Sequence, residues 1–377
     1  LKPVEYSKLV KALNEILELH QKGKFKISQS DEDCHTAIEN YLVSKLGDLG
    51  KKIHTCRSRN DQVLVATRLY SRKKLKQISA ELIALEKVFL AMAKKYEFIP
   101  LPGYTHTRRA MPSSIGHWAA AYFEELTNDH KLLETAYWLN DQNPMGAAAG
   151  FGINIPLDRE LTTKLLKFKR LQKNSLYAVN SRGPTESYIL SVLTKIVMTL
   201  GRLANDMIWF TTPEFNFFHL PVQFTTGSSI MPQKRNPDVF EIIRANVRVI
   251  VGLQTQVKDI STGLISGYNR DTQLTKEPLM KGLGIARRSL EVTALVMAEI
   301  KPNKEVLMKS LAPEFFAVHE ANRLVKKGMP FRDAYQHVKE HIHELKVEDP
   351  VKAIKEVVSI GGPGNLQLNK YKIDKAL

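Results

Sequence analysis

Three long stretches without proline limit what this chain can fold into. Ser113 to Asn143 lies between Pro112 and Pro144, Thr185 to Thr212 between Pro184 and Pro213, and Asp238 to Glu277 between Pro237 and Pro278. Each has room for a helix of about 25 residues or more, ~40 Å of rise. An ordinary globular helix is shorter, about 11–12 residues. The apolar spacing agrees with helix. Ile242, Ile243, Val247, Ile250 and Val251 recur at three, four and seven, as do Leu190, Leu193, Ile196, Val197 and Leu200. Helix starts are marked at Pro184-Thr185-Glu186, at Asn236-Pro237-Asp238, and where Ser30 precedes Asp31-Glu32-Asp33. Strand signal is absent. The pattern predicts an all-α protein with a central long-helix bundle over 57–309. Smaller helical end domains flank it over 1–56 and 310–377.

Composition narrows the class. Of the 377 residues, 43% are hydrophobic and 25% charged, an ordinary soluble globular balance. No apolar run approaches the ~20 residues of a membrane helix. Lys2, Glu5 and Lys8 interrupt any leader-like stretch, and Cys34 and Cys56 sit in no paired motif. The expectation is a cytoplasmic protein with reduced thiols. The sequence begins at Leu1 rather than Met, so an N-terminal piece is expected to be missing. Net charge is +16 with pI ≈ 9.6. A solvated basic surface is the first explanation and attraction of a polyanionic small substrate the second. Nucleic acid comes last, because no binding motif accompanies the charge.

Irregular segments rich in Gly, Pro, Ser and Thr separate the helical stretches: Lys52 to Asp61, Pro102 to Ser114, Asn143 to Pro156, and Pro213 to Pro237. Chemistry is expected on such loops, held by rigid helices. The last ends in Gly227-Ser228-Ser229-Ile230-Met231-Pro232-Gln233-Lys234-Arg235-Asn236-Pro237-Asp238. It delivers a serine, a lysine and an asparagine just before a helix N-terminus, a setting that favours an anion. Spacing alone reads equally well as a lid before a well-capped helix.

That segment resembles the signature of the fumarase/aspartase superfamily, Gly-Ser-Ser-x-Met-Pro-x-Lys-x-Asn-Pro. Three segments resemble the argininosuccinate lyase branch: Asp31 to Glu39 with His35 embedded, His54 to Val63 with Arg-Ser-Arg-Asn-Asp-Gln, and Gly103-Tyr104-Thr105-His106. A fourth, Tyr268-Asn269-Arg270-Asp271-Thr272-Gln273 with Lys276, looks like the part that contacts the amino-acid end of the substrate. The resemblance runs in order from about Asp31 to Gly361. It implies a reversible, cofactor-free β-elimination of argininosuccinate to arginine and fumarate, a step of arginine biosynthesis, in a homotetramer whose active sites each draw on three chains. Ser228 would be the general base. Lys234 and Asn236 would hold the carboxylate that becomes an aci-carboxylate. His106, paired with Glu241, would protonate the leaving guanidino nitrogen. His35, Arg59, Asn60, Thr105, Tyr268, Gln273 and Lys276 would bind substrate.

The chemistry suits these residue types. Arg59 and Asn60 can clamp carboxylates. A weakly acidic Cβ proton needs a base, plus a cation or amide where charge develops. No metal-ligand motif is present, and Gly146 to Gly152 lacks the Lys-Ser/Thr of a nucleotide loop. Small polar residues around Gly227 predict a loop, Thr225 to Gln233, that closes on substrate.

The chain departs from the branch in three places. Cys56 stands where glycine is usual, and Thr107-Arg108 where Leu-Gln is common. Tyr177 to Gly183 lacks the usual aspartates around Arg182, which leaves the polar pairing there, and the substrate range, open. Competing readings are another fumarate-releasing lyase (adenylosuccinate lyase, fumarase or aspartase), a non-catalytic crystallin-like protein, and a basic RNA-binding helical protein.

Overall fold

The computed structural model describes residues Leu1 to Leu377. The chain forms two compact units. The first gathers Leu1–Tyr70, Asn140–Thr185 and Ser261–Gln273; the second gathers Ser71–Leu139, Glu186–Ile260 and Leu274–Leu377.

In the first unit, α1 (Pro3–Gln21) and α2 (Cys34–Leu46) share a small core of Leu9, Ala12, Ile16 and Leu42. Asp33 caps α2 by accepting the N–H groups of His35 and Thr36 at 2.9 and 3.0 Å. The acidic run thus supplies the helix start expected of it, with Asp33 rather than Ser30 at the cap. The unit also holds a short helix, Ser175–Asn180, capped by Asn174.

The longest helix, α3 (Arg59–Lys95), has 37 residues and passes from the first unit into the second. Leu75, Ile78, Leu82, Leu85 and Phe89 are fully buried along it, a stripe at alternating three- and four-residue steps. In the second unit, β1 (Pro100–Thr105) and β2 (Arg108–Ser114) pair antiparallel. The sequence reading missed this hairpin, which lies amid prolines. It is followed by α4 (Ile115–Asn140), α5 (Pro184–Phe210), α6 (Asp238–Ile260) and α7 (Lys276–Glu299).

The stretch Asp238 to Glu277 does not make one helix. It breaks between α6 and α7, where Gly263 and Gly267 adopt φ of +75° and +111°. A right-handed helix cannot run through left-handed residues, so glycine ends it where proline does not. On α5 the expected apolar stripe is buried in full: Leu190, Leu193, Ile196, Val197 and Leu200 are at most 1% exposed. By length and composition α5 could cross a membrane, but 67% of its most apolar window is buried within the protein. On α6 the stripe divides. Ile243 and Ile250 are buried, whereas Ile242 and Val251 face outward. The C-terminal part adds α8 (Ala317–Lys326) and α9 (Phe331–Glu340), packed through Ala321, Ala334 and Val338.

Candidate active site

The serine-bearing loop has a closed neck. The Thr226 N–H donates to the Asn236 carbonyl at 3.2 Å, and the Asn236 N–H donates back at 2.9 Å. The Asn236 amide also donates to the Gly227 carbonyl at 3.3 Å. These bonds bring Ser228 and Asn236 to the same end of the loop. Within it, the Ser228 Oγ accepts the N–H groups of Ile230 at 3.3 Å and Met231 at 3.0 Å. Two donors on one hydroxyl oxygen favour negative charge there. Ser229 and Lys234 are exposed, as is Glu241 in the first turn of α6.

His106 occupies the tip of the β1–β2 hairpin. Thr105 pairs with Arg108, so the connecting turn consists of His106 and Thr107 alone. Their φ values are +53° and +60°. Both residues being left-handed is the mark of a type I′ turn, which twists with its strands but prefers Asn and Gly. A β-branched threonine there is an outlier, and such strain gathers at functional sites. The base of the turn is anchored. The Tyr104 ring packs edge-on against Phe215 and Phe315, with centroids 6.0 and 6.2 Å away. Arg109 pairs with Glu314 at 2.6 Å. Burial pushes the Tyr104 phenol above its ordinary range.

In the first unit, Arg59 is already engaged. Its guanidinium meets Glu32 at 2.7 Å and Asp33 at 3.5 Å, and donates to the Thr36 hydroxyl at 2.8 Å. Burial opposes the charge on Asp33, but the Thr36 N–H and Arg59 outweigh it and hold that carboxyl below its ordinary value. His35 stands in the first turn of α2, and the Asn60 N–H donates to the Ser58 hydroxyl at 3.2 Å. Asp61, fully buried, accepts the N–H groups of Ser58, Gly146 and Ala148, each at 3.0 Å. The Gly146 to Gly152 loop therefore wraps the carboxylate of the Arg-Ser-Arg-Asn-Asp-Gln segment.

Tyr268 and Gln273 also meet. The Gln273 amide donates to the Tyr268 hydroxyl at 3.0 Å. Its carbonyl oxygen accepts from Arg182 at 3.0 Å, and the Arg182 guanidinium lies 5.5 Å from the centre of the Tyr268 ring. Lys276 opens α7.

The single chain thus unites Ser228 with Asn236, and Tyr268 with Gln273. No hydrogen bond or ion pair joins His106, Ser228 and Glu241 within it. Sequence reasoning missed the parts played by Asp61 and Arg182. Asp61 could have been flagged as the one acid in its motif, but nothing local signals the partners of Arg182. No group of three or more His, Cys, Asp or Glu side chains is placed to hold a metal.

A family model described as lyase matches residues 2–252. The argininosuccinate lyase of Thermotoga neapolitana is 46% identical over 336 residues, 89% of this chain and 84% of the relative. That of Sorangium cellulosum is 42% identical over 369 residues, 98% of this chain and 86% of the relative. Among solved structures, an EDDS lyase in complex with formate superposes with a TM-score of 0.86 at 22% identity, covering 98% of this chain and 80% of that one. At that identity the likeness concerns the fold.

Proposed function

The chain belongs to the argininosuccinate lyase family, and on that premise we infer that it cleaves argininosuccinate into arginine and fumarate by β-elimination. The observation that carries this reading is the signature loop Gly227 to Asp238, intact in a chain 46% identical to a relative of that name. The test is direct. Purified protein given argininosuccinate should produce absorbance at the fumarate band, and adenylosuccinate should not. Fumarate from adenylosuccinate alone would move the chain to the neighbouring lyase class, and none from either substrate would favour a crystallin-like role.

In the proposed mechanism Ser228 removes the Cβ proton of the succinyl half. A free hydroxyl is a poor base, so its oxygen must be stabilised when charged. The Ile230 and Met231 N–H groups on the Ser228 Oγ support that role. Lys234 and Asn236 then hold the adjacent carboxylate as it takes up charge as an aci-carboxylate. His106, oriented by Glu241, gives a proton to the leaving guanidino nitrogen as the C–N bond breaks. Arg59 and Asn60 clamp carboxylates, His35 and Thr105 contact the substrate beside them, and Tyr268, Gln273 and Lys276 take the amino-acid end. For Arg59 this requires exchange of its partner Glu32 for the substrate.

We further propose a homotetramer with shared active sites. The outward Ile242, Val249 and Val251 of α6 and Met198 of α5 support it, because a second copy would cover them. So does the lack of any hydrogen bond or ion pair between His106 and Glu241 within one chain, since a neighbouring subunit would supply the partner. A fully active monomer in solution would exclude the arrangement. The three-part division at 1–56, 57–309 and 310–377 is supported by separate small cores around Leu42 and Phe315. The loop Thr225 to Gln233 is proposed to close over substrate. Equal protease resistance with and without product would count against closure. A cytoplasmic location is consistent with the two free thiols.

A further inference from the structure

Arg182 has no role in the mechanism above, yet it touches two residues that do. It is 5% exposed, on the turn after the helix Ser175–Asn180. Its segment is stitched to the one bearing Tyr268. Asn180 accepts the Gly267 N–H at 2.7 Å and donates to the Ser266 hydroxyl at 3.3 Å. Gly183, with φ of +94°, lets the two segments approach: a Cβ there would lie 2.3 Å from the Ser261 hydroxyl. Arg182, Asn180, Ser261, Ser266 and Tyr268 line a recess of about 170 Å³.

The three side chains form a closed triangle with a direction. Guanidinium only donates, so the Gln273 carbonyl oxygen must face Arg182. The amide NH₂ then faces Tyr268 and donates to its oxygen, as the 3.0 Å contact requires. With that oxygen accepting, the phenolic hydrogen is left to be given away, and the preferred taker is an anionic oxygen. The guanidinium under the ring fixes the plane of the phenol. Resting on the reading of Tyr268 and Gln273 as contacts to the amino-acid end, we propose that Arg182 is a positioning residue for the arginine half of the substrate, orienting both so that the Tyr268 hydroxyl donates to a carboxylate. This gives the aspartate-poor segment Tyr177 to Gly183 a purpose: the partners of its arginine include substrate contacts.

The experiment measures the reverse reaction, arginine plus fumarate, with Arg182→Lys and Arg182→Gln. Two variants are used so that the result does not depend on one of them folding. Lysine keeps the charge but lacks the planar fork that can both donate to Gln273 and stack on Tyr268. KM for arginine should rise about tenfold in Arg182→Lys and further in Arg182→Gln, with KM for fumarate within about twofold and kcat largely kept. A merely structural arginine would not separate the two substrates. An unchanged KM for arginine in both variants overturns the proposal, as does an equal rise in both constants. Tyr268→Phe and Gln273→Ala run alongside. If they leave KM for arginine unchanged, the assignment of the amino-acid end fails first and takes the proposal with it.

Discussion

Ser228 and His106, the proposed proton carriers, stand on a loop and a turn with few partners, whereas Arg182 and the proposed binding residues Tyr268 and Gln273 lock into one another. Ser228 keeps two backbone donors, and His106 sits exposed on a two-residue turn. Arg182, Gln273 and Tyr268 each contact the other two, behind a buried guanidinium. Asp61 belongs to the second pattern, holding three loop N–H groups with one carboxylate. On the proposed roles, the two regions divide the labour. Under the proposed mechanism, the groups that move a proton would be completed by a ligand or a neighbour, while those that recognise would be fixed in advance by their own chain.

Ser228→Ala should lower turnover by ~10²-fold or more and leave thermal unfolding unchanged, because the side chain contributes to rate and little to packing. If that variant kept near-normal turnover while His106→Asn abolished it, the base would have to be reassigned to His106. Asp61→Ala should do the reverse. It leaves three N–H groups, two of them buried, without an acceptor, so urea unfolding should reveal a loss of about 3 kcal/mol. A loss below about 1 kcal/mol would mean the Gly146 loop does not depend on that carboxylate. Tyr104→Leu should loosen the base of the His106 turn. A fall in kcat of about threefold to tenfold is expected, with KM nearly constant. The smallest effect belongs to Cys56, a non-glycine residue at φ +62°. Cys56→Gly should keep stability within about 1 kcal/mol, since relief of the left-handed strain offsets glycine's added chain entropy. Cys56→Val, β-branched, should unfold measurably more easily.

Much of the fold could be read from the sequence, because proline spacing and apolar period speak to local backbone. The stripe on α5 and the starts of α5 and α6 follow from Pro184, Pro237 and the leucines between. What escaped had no local signature. The break after Ile260 depends on Gly263 and Gly267 turning left-handed, which many helical glycines do not do. The β1–β2 hairpin is set by a turn, His106-Thr107, whose residues disfavour that conformation. The candidate site divides the same way. Ser228, Asn236, Tyr268 and Gln273 stand in contiguous motifs and could be named, while the bond from Arg182 to Gln273 spans 91 residues.

The turn at His106 and Thr107 also bears on how this gene can change over generations. Asn-Gly would suit the backbone there better than the present pair, and the substitutions are stabilising ones that selection for folding alone would accept. On the proposed role of His106, an imidazole and a threonine in left-handed positions serve catalysis at the expense of backbone comfort. A lineage released from catalysis is expected to lose these two residues early and to gain stability in doing so. The hairpin tip is thus a place to look for the first mark of an abandoned activity, before anything changes in the helices beneath it.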